Sequence, residues 1–406
     1  MPPFSSPGRL SIPNGYSVLG TAPRSRDTGV DCRTSAPPPH PHRPTVPRSF
    51  RGGPVPETAA FHVPAIDISP YIAGGSAEEK QAVARAFDEA ARTVGFMQIT
   101  GHGIPLESWA RLGRASDRFF ELSLEQKKRY RAPKGVNRGY SPPKSERLSL
   151  SLGVEKAERM NDFFEAFNVG ATAADYAHAG VSEADYADNI WPEETETFRD
   201  DVELWMTNAT AVAHVMMAIF ADALGLPSDY FAAYTDHSLN VLRMNNYALP
   251  EGERVTLDGD LIGMGEHTDF GIVTLLWADD VKGLQVLGED GSWNDVSPLP
   301  GALLVNLGDL TARWTNEKWK STLHRVKPPV VGGTIKRRRS AAFFFDGNVD
   351  ALITTLPGCV EPGERELYAP ITVSEHIQAK LRGSRELQKN TGDIEREAQR
   401  VLSSRY

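Results

Sequence analysis

The sequence predicts a mainly β fold, a jelly-roll core braced by flanking helices. Three observations carry that expectation: short β-rich runs separated by turn residues from Leu239 onward, helical periodicity ahead of them, and helical sequence again from about Val373.

Residues 1–57 stand apart. The stretch is rich in Pro, Ser, Gly and Arg, as in Ala36-Pro37-Pro38-Pro39-His40-Pro41-His42, and lacks hydrophobic periodicity, so a disordered tail is expected. It has no continuous apolar stretch of the kind a secretory signal needs, and its prolines oppose the amphipathic helix of a transit peptide. Residues 58–406 read as a single folded domain: a mostly helical part over 58–238, a jelly-roll core over 239–368 and C-terminal helices over 369–406.

The folded part opens with an alternating strand over His62–Ile68. A helix follows from about Ala77 to Thr93, with Ser76 as N-cap and Gly95 just past its end. Gly95 to Pro105 reads as a short strand broken by glycines, and roughly Leu106 to Arg129 as more helix. A long helix is expected from about Phe198 to Leu226, with Leu204, Val212, Val215, Met216, Ile219 and Phe220 on its buried face. The β-rich runs are Val241–Tyr247, Gly271–Trp277, Leu284–Leu287, Trp293–Val296, Ala302–Leu307, Thr322–Lys327 and Ser340–Asp346.

Composition narrows the function classes. A formal net charge of -9 argues against nucleic acid as a partner, because phosphate binding needs a basic surface. No apolar run approaches the roughly 20 residues of a bilayer-spanning helix. Only Cys32 and Cys359 are present, too far apart for a CxxC zinc site and too few for a disulfide framework. A cytoplasmic monomer acting on a small molecule, without nucleic acid or membrane, is the expectation.

The segment Gly265-Glu266-His267-Thr268-Asp269-Phe270 carries the first candidate chemistry. On an extended strand, residues two apart share a face, so His267 and Asp269 can grip one ion. His324, in Ser321-Thr322-Leu323-His324-Arg325-Val326, would complete the set from across the barrel. Two imidazoles and a carboxylate on one octahedral face suit non-haem Fe(II), although zinc hydrolases also use His and Asp. His102, between glycines in a tight turn, reads as structural.

Arg338 and Ser340 lie on one face of the last strong strand, with Ala342 and Phe344. A guanidinium fork and a neighbouring hydroxyl suit a carboxylate, while a solvated basic cluster with Lys336, Arg337 and Arg339 is the plainer alternative. Arg243, Asn245 and Tyr247 form a second polar face, lining either a cavity or solvent. Phe344 and Tyr140 are candidates for substrate contact, the latter in a loop or lid from Arg138 to Arg147.

Taken in order, these fragments resemble the isopenicillin-N-synthase-like branch of the 2-oxoglutarate/Fe(II)-dependent dioxygenases. The resemblance runs from roughly Val63 to Tyr368. It includes Val63-Pro64-Ala65-Ile66-Asp67-Ile68, Gly101-His102-Gly103-Ile104-Pro105, Asn245 with Tyr247, and His267-Thr268-Asp269-Phe270-Gly271. Gly283-Leu284-Gln285-Val286, Val305-Asn306-Leu307-Gly308-Asp309, Trp314-Thr315-Asn316 and Arg338-X-Ser340 follow.

The resemblance implies a double-stranded β-helix, or distorted jelly roll, with iron on His267, Asp269 and His324. It also implies that Arg338 and Ser340 bind the distal carboxylate of 2-oxoglutarate, with Tyr247 assisting and Asn245 near the end bound to iron. The implied reaction consumes O2 and 2-oxoglutarate, oxidises a small organic substrate by hydroxylation or desaturation, and releases succinate and CO2. Secondary metabolism is the implied setting. Some members carry the Arg-X-Ser pair without using 2-oxoglutarate, so an Fe(II)-dependent oxidase of the same fold is the alternative. Because ligating histidines must be neutral, activity is expected to fall below about pH 6.5.

Overall fold

The computed structural model describes residues 61–143, 145, 164–248, 263–327, 330–331 and 334–386. The expected tail over 1–57, the later part of the Arg138–Arg147 segment and the helical sequence after Glu386 lie outside the described residues.

The first half supplies β1 (Ala65–Asp67), α1 (Ser69–Ile72), α2 (Ala77–Thr93), β2 (Phe96–Thr100), α3 (Leu106–Phe120) and α4 (Leu124–Lys128). Then come β3 (Gly139–Ser141), β4 (Glu165–Gly170), α5 (Phe198–Leu224) and α6 (Ala232–Thr235). The second half supplies β5 (Asn240–Tyr247), β6 (Met264–His267), β7 (Val273–Ala278), β8 (Leu284–Leu287), β9 (Trp293–Asp295), β10 (Leu303–Leu307) and α7 (Asp309–Trp314). It continues with β11 (His324–Val326), β12 (Val330–Val331), β13 (Thr334–Ile335), β14 (Arg338–Phe345), β15 (Leu352–Ile353), β16 (Ile371–Thr372) and α8 (Val373–Glu386).

Local signals explain the helix ends. Ser76 accepts a bond from the Glu79 backbone N–H while Glu79 reaches back to the Ser76 N–H, a capping box that starts α2 where expected. The helical stretch expected from Leu106 to Arg129 divides into α3 and α4, because Ser123 starts α4 with its own capping box to Gln126. Gly95, at φ 70°, follows α2; a Cβ there would stand 2.3 Å from the Lys320 carbonyl oxygen, so only glycine fits.

An eight-stranded sheet runs β1-β2-β10-β7-β14-β5-β4-β3, and a four-stranded sheet runs β6-β11-β8-β9. All pairs are antiparallel except β1 with β2. This is the distorted jelly roll. The segment 58–238 is mostly helical as expected and also contributes β1 to β4, half of the larger sheet; β3 and β4 lie outside the strands read from the sequence. All six residues of β4 are buried, so it lacks the in–out alternation that marks a strand in sequence.

Strand alternation sorts the two faces of the larger sheet. Met244, Leu275, Val305, Phe343 and Phe345 point into a core shared with α2, α3 and α5. Phe96, Ala166, Tyr247 and Leu304 point the other way and pack on Met264, Leu284, Val286 and Val326 of the smaller sheet. By length and composition alone α5 could cross a membrane. Its Val202, Trp205, Ala209, Val212, Met216 and Phe220 are instead buried, and the helix packs on α2, α3, β7 and β14. Its apolarity serves the core.

Candidate active site

A cavity opens between the two sheets, reached by His267, Asp269 and His324 and by Arg243, Asn245, Tyr247, Arg338, Ser340 and Phe344. The structure therefore brings together every candidate residue named from the sequence except Tyr140.

His267 ends β6, and β11 pairs with β6 so that His324 stands directly opposite His267. His324 thus comes from the adjacent strand, not from across the barrel as expected. Asp269 lies in the turn just after β6. His324 Nε2 is 3.6 Å and His267 Nε2 is 4.0 Å from Asp269 Oδ1, and the two rings are 4.2 Å apart. The three ligand atoms lie within 4.8 Å of one another, and all three residues are buried.

Backbone carbonyls fix the rings. Gly265 O lies 2.7 Å from His267 Nδ1 and Thr322 O lies 3.1 Å from His324 Nδ1, placing the proton on Nδ1 and the lone pair of each Nε2 toward Asp269. Asp269 Oδ2 accepts bonds from Thr274 Oγ1 at 2.5 Å and Asn306 Nδ2 at 2.7 Å, which leaves Oδ1 for an ion. The turn itself is held by Asp309, whose side chain accepts from Thr268 Oγ1 at 3.0 Å and Ser321 Oγ at 2.8 Å. The Asp309 backbone N–H also donates to the Asp269 carbonyl.

Burial, then the neighbouring His324, pushes the His267 pKa far below its usual value, with Asp269 only partly opposing. For His267 the imidazole is therefore neutral well below its usual range, because a charged ring in this cavity would lack solvation.

At the other end of the cavity, Arg338 is 2% exposed and stacks on Tyr247, its ring centroid 5.2 Å away. Pairing of β14 with β5 sets Arg338 opposite Tyr247 and Ser340 opposite Asn245. Arg338 Nη1 donates weakly to Ser340 Oγ at 3.4 Å, its Nε has no partner, and no carboxylate pairs with it among the described residues. This excludes the solvated basic cluster for Arg338. Arg337 and Arg339, on the opposite face, pair with Asp117. The Arg243–Tyr247 face likewise lines the cavity and not solvent; Arg243 Nε donates to Asn245 Oδ1 at 3.2 Å.

Tyr140 is a correction. It pairs across from Phe167, whose face looks toward the helices, and it packs on Phe119 while its hydroxyl donates to Glu165 Oε2 at 2.6 Å. It belongs to the helix-side core. Arg138 is buried too, donating to the carbonyls of Asn137, Ala171 and Ala187. Asn137, just before that segment, lines the cavity and accepts a bond from Asn168 Nδ2 at 3.0 Å. His102 is structural as expected: its Nδ1 accepts from the Ile104 N–H and its Nε2 meets the Gly301 carbonyl.

Sequence reading missed two further contributors. Asp346, just after β14, lines the cavity; burial, then Asp269, pushes its carboxyl up to about 8 in the metal-free protein. Helix α8 closes the side of the cavity with Ile377, Leu381 and Ser384. Neither carries a local signal: a lone Asp and an amphipathic helix occur everywhere.

Comparison with known proteins agrees with this architecture. Residues 63–194 match a family model described as non-haem dioxygenase in morphine synthesis N-terminal, and residues 239–347 match that of the 2OG-Fe(II) oxygenase superfamily. A 2-oxoglutarate-Fe(II) type oxidoreductase of Emericella nidulans is 34% identical, covering 79% of this chain and 90% of the relative. Clavatol oxidase of Penicillium crustosum is 31% identical, covering 82% of this chain and 99% of its own. Among solved structures, a full-length Neurospora crassa protein in complex with alpha-KG and thymine has a TM-score of 0.67 at 27% identity, covering 79% of this chain and 96% of its own.

Proposed function

The chain belongs to the 2-oxoglutarate/Fe(II) oxygenase superfamily, and on that premise we propose that His267, Asp269 and His324 hold the iron while Arg338 and Ser340 hold 2-oxoglutarate. It is an oxidoreductase that uses Fe(II), 2-oxoglutarate and O2 to oxidise a small organic molecule.

The donor set fits a divalent ion. Two neutral imidazoles and one carboxylate oxygen point at a common space, each oriented by a bond to its other side, which is how such ligands are held ready. The observation that supports the co-substrate reading is Arg338, a cation buried in the same cavity with no carboxylate paired to it among the described residues. A buried unpaired charge costs several kcal/mol, on the order of the effective ion penalty, unless a ligand compensates it. A dicarboxylate spanning the cavity supplies that compensation.

Iron held by His267, Asp269 and His324 would supply the activation of O2, with 2-oxoglutarate as the two-electron reductant that leaves as succinate and CO2. The chain's own residues orient and exclude. Thr274 and Asn306 keep Asp269 turned inward; Tyr247 and Ser340 flank the Arg338 fork; Leu276 and Leu284 line a wall that keeps water from the reacting atoms. Phe344 faces the cavity and is the proposed substrate contact.

Residues 58–406 are proposed to form one oxygenase domain. The net charge of -9 supports a small-molecule substrate without nucleic acid, and the burial of α5 supports a role without a membrane partner. A cytoplasmic monomer completes the proposal. Succinate release tests it: anaerobically reconstituted enzyme, given O2 and a metabolite library, should form succinate only when 2-oxoglutarate is supplied. Substrate oxidation that proceeds fully without 2-oxoglutarate would instead favour the iron oxidase.

A further inference from the structure

Asp346 has no part in holding iron or 2-oxoglutarate as assigned above. Its side chain is 7% exposed, lines the cavity, and has no hydrogen-bond or ion-pair partner among the described residues. It does not join the His267, Asp269 and His324 group. It follows the cavity-facing series Arg338, Ser340, Ala342 and Phe344 by one more strand repeat, so it stands at the end of the series opposite Arg338.

The local backbone is shaped around this carboxylate. An added Cβ on Gly271 would lie 1.7 Å from Asp346 Oδ1, so glycine at 271 is what lets the carboxylate sit there. Gly308 in turn is packed against Gly271, where a Cβ would lie 2.1 Å from its carbonyl oxygen. A carboxylate buried without a donor is costly, and one kept in a ligand cavity points to a donor arriving with the ligand.

We propose that Asp346 is a specificity-determining residue that accepts a hydrogen bond from an N–H or O–H of the prime substrate. The proposal rests on the reading of this cavity as the oxygenase active site. Charge balance adds a second constraint. Fe(II), Asp269, 2-oxoglutarate and Arg338 sum to zero, and Asp346, ionised in the iron-loaded site where it acts as acceptor, cancels the remaining cavity charge, Arg243. A substrate without net charge keeps the closed cavity neutral. The class is therefore a small, net-neutral molecule, mostly apolar to suit Phe270, Phe344 and Leu381, carrying a hydrogen-bond donor beside the carbon that reacts.

Indole and benzofuran test this, since they differ by one ring N–H replaced by oxygen. Calorimetric titration into the anaerobic Fe(II)·2-oxoglutarate protein should show indole binding roughly tenfold tighter or more, the size of one hydrogen bond to a charged acceptor. Asp346→Ala should remove the preference, and the isosteric Asp346→Asn, which keeps the volume and guards against a folding artefact, should shrink it. Equal affinity in the wild type, binding of neither ring, or a preference that survives Asp346→Ala overturns the proposal. The visible charge-transfer band of the Fe(II)·2-oxoglutarate complex is read on the same samples. Its absence would refute the oxygenase assignment of the cavity, while the indole–benzofuran comparison would still decide the role of Asp346.

Discussion

Lys380 Nζ lies 2.8 Å from Asp309 Oδ2, and both side chains are fully buried. The pair ties α8 to the turn that carries Asp269, because the same carboxylate holds Thr268 and Ser321. Removing Lys380 takes this cation away from a buried carboxylate. Lys380→Met should lower unfolding free energy by about 3–5 kcal/mol, whereas the double change Lys380→Met with Asp309→Leu should recover part of that loss. Urea unfolding of the three proteins checks this; an unchanged midpoint for Lys380→Met would show the pair to be dispensable.

Asp269 depends on its two donors for orientation. Asn306→Ala should weaken Fe(II) binding by roughly 10–100-fold, as loss of an outer-shell partner commonly does. The protein should otherwise stay folded, since Asn306 faces the cavity and not the helix-side core. Competition with a metal chelator gives the affinity. Equal affinity in the variant would mean that Thr274 alone suffices.

At the other end, Arg338→Gln should raise the KM for 2-oxoglutarate by about a hundredfold, the loss of a bidentate charged contact, while leaving Fe(II) affinity within a small factor. Separate titrations of metal and keto acid distinguish these. A matching loss of both would indicate a collapsed cavity and not a missing anchor.

Much of this arrangement was legible in the sequence. Ser76 with Glu79 announces α2, and the spacing of Arg338, Ser340 and Phe344 announces one face of β14. His267, Asp269 and His324 are legible because His267 and Asp269 lie two apart and both histidines sit in recognisable fragments. Tyr140 was misplaced because its side depends on register with β4, a strand whose six buried residues leave no periodic trace. Asp346 and the cavity face of α8 were illegible for a related reason: each acquires its role only through contacts distant in the chain.

Two buried groups give the metal-free protein a defined response to pH. Asp346, raised to about 8 from an ordinary 3.8, keeps its proton in the folded state while the unfolded chain releases it, so stability falls as pH rises between those values. His267, lowered from 6.5, stays neutral when folded, so stability falls as pH drops below 6.5. The two oppose each other on the acid side, and above pH 6.5 Asp346 acts alone. The Tm of metal-free protein should therefore fall between pH 6.5 and about 8, and Asp346→Asn should flatten that fall. A wild-type Tm constant over the range would contradict the burial of an unpaired carboxyl.

Fe(II) bound per chain after anaerobic dialysis tests the metal centre most directly. The wild type should retain one equivalent, and His267→Ala, Asp269→Ala and His324→Ala should each lose it, while His102→Ala keeps it. A full equivalent persisting in any of the first three, or a loss in His102→Ala of the same size, would place the iron somewhere else.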